Sequence, residues 1–243
     1  MEIGFSQPIE LPWLEQTAFL VASGRGPDQV RASLNDFLAS KIPVPNESAH
    51  GSRYKRISIL MRTWVLLKPK SHAFHHQALA LIRALPSSEH LPLHYGMTIT
   101  AYPFFAAVSE NIGRLLTLQE SFTIEHIQRR MRETLGQRDT VKYATTRVVR
   151  SLVDWKCLLQ TKRSSYHATK PYSVSEPHLC VWLYEAVLRG KGASTMNADT
   201  LSGSKSLFPF KLPPLKHLPT RDSRLRITRS GPDGEVVELQ SAK

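Results

Sequence analysis

Residues 121–172 read SFTIEHIQRRMRETLGQRDTVKYATTRVVRSLVDWKCLLQTKRSSYHATKPY, and the placing of apolar, capping and basic residues in this stretch decides how the chain folds. Thr123 is placed to cap a helix in which Ile124, Ile127, Met131 and Leu135 follow one another at i, i+3, i+7 and i+11, on one buried face. Gly136 breaks that helix. Asp139 or Thr140 caps the next one after a turn so short that the two helices must cross, which is a helix-turn-helix pattern. Along the second helix, a rotation of about 100° per residue carries Val141, Thr145, Val148, Leu152 and Trp155 inward. Tyr143, Thr146, Arg147 and Arg150 then share the opposite face, with Lys142 at its edge and Asp154 at its far margin. The residues that follow, Cys157 to Lys162 and Tyr166 to Tyr172, read as two strands around a short turn at Arg163-Ser164-Ser165.

This succession resembles the winged helix-turn-helix, and the phrase VRSLVDWKCLLQT (149–161) resembles that family's passage from recognition helix to first wing strand. A helix expected at Pro103 to Leu116, striped by Phe104, Val108, Ile112 and Leu115, stands where the family's first helix would. The resemblance implies binding to double-stranded DNA, with the second helix in the major groove and the wing against a phosphate or a minor groove. Lys142, Tyr143, Thr146, Arg147 and Arg150 would then face bases or phosphates, Lys162 and Arg163 would lie on the wing, and Arg129, Arg130 and Arg138 would touch phosphates.

Charge points the same way. The chain of 243 residues has 32 Lys and Arg against 20 Asp and Glu, a formal charge of +12. Residues 121–170 alone hold eleven basic and four acidic side chains, a net +7, more than half of the total in about a fifth of the chain. Such concentration favours a polyanionic partner. A second basic stretch, 48–88, has Arg53, Lys55, Arg56, Arg62, Lys68, Lys70 and Arg83 and no acid, and either tracks phosphates or docks an acidic protein. Two cysteines, Cys157 and Cys180, are too few for a disulfide framework and read as reduced thiols. With no visible secretory signal and no apolar run of the roughly 20 residues needed to span a bilayer, a soluble cytoplasmic protein without a membrane partner is expected.

Outside the central region, 96–173, punctuation defines the elements. In residues 1–95, Pro27 and Asp28 start a helix with Val30, Leu34, Phe37 and Leu38 on one face, ended by Pro43 and Pro45. Runs at Ile57 to Leu67 and Phe74 to Leu85 are stopped by Pro69 and Pro86. In residues 174–243, a helix from Glu176 to Arg189 meets a glycine cap at Gly190. The Pro-rich FPFKLPPLKHLP (208–219) leads to a hairpin of Arg224 to Arg229 and Glu235 to Leu239 around Ser230 to Gly234. The fold class expected is mainly α: an N-terminal helical bundle packed on a central winged helix-turn-helix, then a C-terminal helix and β-hairpin.

Other signals are weaker. His72, His75 and His76 would share one helix side without a carboxylate or thiol near in sequence, so no metal is expected. Gly190 to Thr195 lacks the spacing of a phosphate loop, and Cys157 with His167 falls where a buried strand begins. Tyr102, Phe104, Phe105 and Trp155 read as core. No paired-carboxylate or nucleophile motif is present, so neither enzyme activity nor a cofactor is expected. The run LHYGMTITAYPFFAAVSENIGRLL (93–116) ahead of the helix pair, and the closing LFPF (207–210) with its hairpin, are similar to BrxA-like accessory proteins of the BREX phage-defence systems. That resemblance implies a DNA-binding subunit among other proteins of a defence complex. A stand-alone transcriptional regulator, dimeric on a palindrome, and a scaffold for an acidic protein partner are the alternatives.

Overall fold

The computed structural model describes residues 2–43, 51–161, 164–221, 223–229 and 234–240. The first helices form where proline and glycine permit. A proline near the N-terminus opens both α1 (Leu11–Ala22) and α2 (Pro27–Ala39), where its missing N–H costs no hydrogen bond. Val30, Leu34 and Leu38 are the buried stripe of α2, as their spacing requires. The helices α3 (Ser52–Trp64) and α4 (His72–Ala84) match the two apolar runs, with Lys68-Pro69 between them starting a short 3₁₀ turn. Pro45 lies outside the described residues.

Next come α5 (Leu91–Ala101) and α6 (Pro103–Leu118), separated at Tyr102 because Pro103 cannot continue the ladder of α5. A strand β1 (Ser121–Thr123) leads into α7 (Ile124–Leu135) and α8 (Asp139–Asp154), followed by β2 (Leu158–Gln160) and β3 (Ser165–Ala168). These three strands form one antiparallel sheet in the order β1-β3-β2, with Phe122 opposite Tyr166 and Leu159 opposite His167. The second hairpin strand is therefore shorter than its sequence suggested. Thr169 to Pro171 interrupt it, and Tyr172 and Ser173 (β4) pair instead, in parallel, with Phe210 and Lys211 (β6).

The long helix α9 (Pro177–Lys191) passes through the middle, with Glu176 capping it by accepting from Leu179 N–H. It does not stop at Gly190. A Cβ there would lie 2.8 Å from the Ile99 carbonyl oxygen, so Gly190 is the contact point with α5, and Gly192, at φ +64°, is the left-handed cap. After β5 (Thr195–Asn197) and α10 (Ala198–Ser202), β7 (Leu225–Arg229) and β8 (Glu235–Leu239) form the expected hairpin, and β5 adds to its edge in the order β5-β8-β7. Ser230 to Asp233 of its turn lie outside the described residues.

The fold is mainly helical, with small sheets. Its buried apolar residues run as one cluster from Phe5 to Val237, and residue 95, taken as the end of the first region, sits inside α5. Every residue from Pro92 to Ile99 is buried. Tyr95 meets Phe105 and Phe210 edge-on, Phe105 packs on Trp155, and Phe74 stacks on Trp182 at 4.4 Å. Tyr102 and Phe104 are buried as well, so all four aromatic residues read as core belong to it.

Candidate nucleic-acid interface

The helix pair is held by a short apolar seam and one polar clasp. Ile127 and Met131 of α7 are buried and Ile124 and Leu135 half-buried, while Val141, Thr145, Val148 and Leu152 of α8 are fully buried. Between α7 and α8, the buried Gln128 amide donates to the Thr146 hydroxyl at 2.9 Å and to the Lys142 carbonyl at 3.4 Å. Thr146, taken as a base-facing residue, therefore spends its hydroxyl inside the protein. Gln128 escaped the sequence reading, although its place four residues after Ile124 and three before Met131 is a signal for the inner face.

The turn is built by Gly136, at φ +89°, and by Arg138, whose guanidinium donates to the Leu135 carbonyl at 3.1 Å. Arg138 also takes the cap position expected of Asp139 or Thr140. Asp139 becomes the first residue of α8, where its charge still complements the helix N-terminus. Arg129 and Arg138 are exposed and Arg130 half-exposed. Arg129 stands 3.8 Å from Glu133 in a solvated pair that contributes little.

On the outer face of α8, Lys142, Tyr143 and Arg150 are exposed, and Arg147 is half-buried. The four side chains run from the first turn to the start of the fourth. Arg150 reaches toward the sheet: burial raises the Tyr166 phenol and the nearby Arg150 charge opposes it. Arg147 lies within electrostatic reach of Arg56 in α3: burial pushes Arg56 down, the Glu10 charge opposes that, and the Arg147 charge adds to it. The hairpin turn brings the chain back through Thr161 N–H to the Ser165 carbonyl at 2.9 Å, with Ser164 at φ +56°. Lys162 and Arg163, expected on this turn, lie outside the described residues.

Asp154 has a different occupation from the groove margin suggested by its spacing. Its carboxylate accepts from Leu11 N–H at 2.9 Å, at the first turn of α1. One residue along, the Trp155 indole donates to the Ile9 carbonyl at 2.9 Å, and Ser151 Oγ accepts from Ile9 N–H at 2.8 Å. The N-terminal segment thus covers the last turn of α8, while Lys142, Tyr143 and Arg150 before it face solvent.

The second basic stretch is partly consumed within the fold. Arg62 makes a bidentate pair with Glu2 at 2.6 and 2.8 Å, and Arg83 donates to the Ala22 carbonyl at the end of α1 at 2.7 Å. Arg56 lies over the Trp13 ring. The stretch does not present seven free charges. His75, one of the three clustered histidines, turns inward beside Trp64, and burial lowers it to about 4 while His72 and His76 stay exposed. Cys157 is buried with its thiol pushed well up, and Cys180 is raised to about 11, so both remain protonated.

Among the described residues no helix is long and apolar enough to cross a membrane. Comparison with protein-family models, with curated proteins and with solved structures gave no match to this chain.

Proposed function

We propose that the protein is a non-enzymatic binder of double-stranded DNA, with α7, α8 and the β2–β3 hairpin acting as a winged helix-turn-helix. The observation that carries this reading is the open face of α8, where Lys142, Tyr143, Arg147 and Arg150 run from the first turn to the start of the fourth while Ile9 and Leu11 cover the end. A helix entering the major groove by its N-terminal part needs that division. Arg150, toward the sheet, and Arg147, within electrostatic reach of Arg56 in α3, supply the guanidinium groups suited to guanine edges or phosphates. Thr146 positions α8 through Gln128 rather than reading a base. Arg129, Arg130 and Arg138 flank the face as phosphate contacts, and the sequence alone adds Lys162 and Arg163, which lie outside the described residues, as further basic contacts. Resemblance of the sequence to BrxA-like proteins adds a setting: a subunit of a cytoplasmic phage-defence assembly, working with other proteins.

Titration of a fluorescent duplex of random sequence at two salt concentrations tests the binding. Neutralising about four phosphates gives a slope near −3.6, so affinity should fall roughly a hundredfold between 50 and 200 mM salt. Absence of binding at low salt would refute the proposal in favour of a scaffold for an acidic protein.

A further inference from the structure

Glu15 of α1 faces His90 and His94, which stand one turn apart at the start of α5. One carboxylate oxygen lies 2.8 Å from His90 Nδ1 and the other 2.6 Å from His94 Nε2. His94 is wholly buried, His90 nearly so, and Glu15 is partly open to water. None of these three residues stood out in the sequence, because Glu15 is separated from His90 by 75 positions.

The proton inventory of the cluster is short by one. His90 Nε2 lies 2.9 Å from the Leu85 carbonyl, which can only accept, so this nitrogen carries a hydrogen. In a neutral ring Nδ1 is then a lone pair, and it points at a carboxylate oxygen. Two acceptors at 2.8 Å need a cation between them, either an extra proton or a metal ion. His94 adds a second feature. Its Nδ1 is buried and has no hydrogen-bond partner among the described residues, so the ring is held in the cluster by Nε2 alone.

We infer that Glu15, His90 and His94 form a binding site for a divalent transition-metal ion of the zinc type. Two imidazole nitrogens and one carboxylate are the donors such ions prefer over the all-oxygen sets of calcium and magnesium. The Leu85 carbonyl behind His90 is the outer-shell acceptor that fixes a ligating ring. Tetrahedral bonds of about 2.1 Å set donor atoms roughly 3.4 Å apart, so the present contacts open by about 0.6 to 0.8 Å to admit the ion. The partly exposed Glu15 edge gives the ion its way in and leaves a remaining position for water. Bound there, the metal clips α1 to α5, and α1 is the helix whose first turn anchors Asp154 of α8.

The test uses the full chain without an affinity tag, stripped by chelator and titrated with Co2+ while its visible absorption is followed, then with Zn2+. About one Co2+ per chain should bind with the intense bands of a low-coordinate site, be displaced by Zn2+, and raise the thermal midpoint. Glu15→Gln and His90→Gln should each weaken binding at least tenfold, in line with loss of a ligand, whereas His72→Ala with His76→Ala should leave it unchanged. No uptake by the folded wild type at excess Co2+ would overturn the inference and leave a proton-bridged cluster. Uptake that survives both ligand variants, or that disappears in the His72/His76 variant, would also overturn it by moving the metal to surface histidines.

Discussion

Asp154 shows how a single side chain changes meaning once its partner is known. In the sequence it is an acid at the end of a basic helix, and its partner, the Leu11 N–H, is 143 residues away. No local pattern could announce that contact, because helical periodicity reports which face a residue occupies and not what the face meets. Replacing Asp154 by Ala removes an acceptor at a helix N-terminus and should cost about 1 kcal/mol in urea unfolding while leaving DNA affinity near wild type. A loss of affinity at unchanged stability would return Asp154 to the interface. His75 carries a pH prediction of the same scale. Burial holds it at about 4 in the fold, below the ordinary 6.5, so between those values the unfolded chain takes up a proton that the folded chain refuses. Stability from this source is complete above about pH 6.5 and is lost toward pH 4, by at most about 1.4 kcal/mol per pH unit. His75→Phe, which keeps a ring against Trp64, should flatten the urea midpoint over that range; an unchanged slope would exclude His75 as its source.

At the scale of elements, the legible helices are those buried on one side. The stripes of α2, α7 and α8 read correctly because half of each helix faces water and the alternation survives in the sequence. Helix α5 is buried through nearly its whole length and α9 through most of its own, so α5 shows no stripe in the sequence. Their contact depends on glycine at both sides: a Cβ on Gly96 would lie 2.3 Å from the Trp182 ring, and one on Gly190 would meet the Ile99 carbonyl. Gly190→Ala should therefore destabilise by about 2 to 3 kcal/mol in urea titration, through overpacking against backbone that cannot yield. Gly192→Ala, with open space around it and only the left-handed φ to oppose, should cost about 1 kcal/mol. If the two variants were equal, the close approach of α5 and α9 would not be what Gly190 provides. The hairpin after α8 stands where alternation expects it but is shorter, because Pro171 and the pairing of Tyr172 with Phe210 lie outside what alternation can show.

At the scale of the whole molecule, charge is divided between holding the fold together and facing outward. Glu185, buried in α9, accepts from Arg189 Nε at 2.7 Å and lies 3.0 Å from the Arg224 guanidinium just before β7, tying the terminal sheet to the central helix. Glu185→Gln leaves two largely buried guanidinium groups without their countercharge and should destabilise by about 3 kcal/mol, read as a lower urea midpoint. A near-neutral effect would mean that water reaches Arg224. Composition revealed the excess of positive charge but not this division, since Arg62, Arg83 and Arg189 look in sequence like Arg147 and Arg150 and differ only in their partners. The central claim is that the outward share on α8 binds DNA. Arg147→Glu combined with Arg150→Glu tests it most directly: Arg150 is solvent-exposed, and a glutamate at 147 lies within electrostatic reach of Arg56, so the fold should persist by circular dichroism. Measured against a random duplex at low salt, the folded double variant should lose at least a hundredfold in affinity along with most of the salt dependence, whereas wild-type affinity in that variant would contradict the assignment of α8 as the DNA-binding surface.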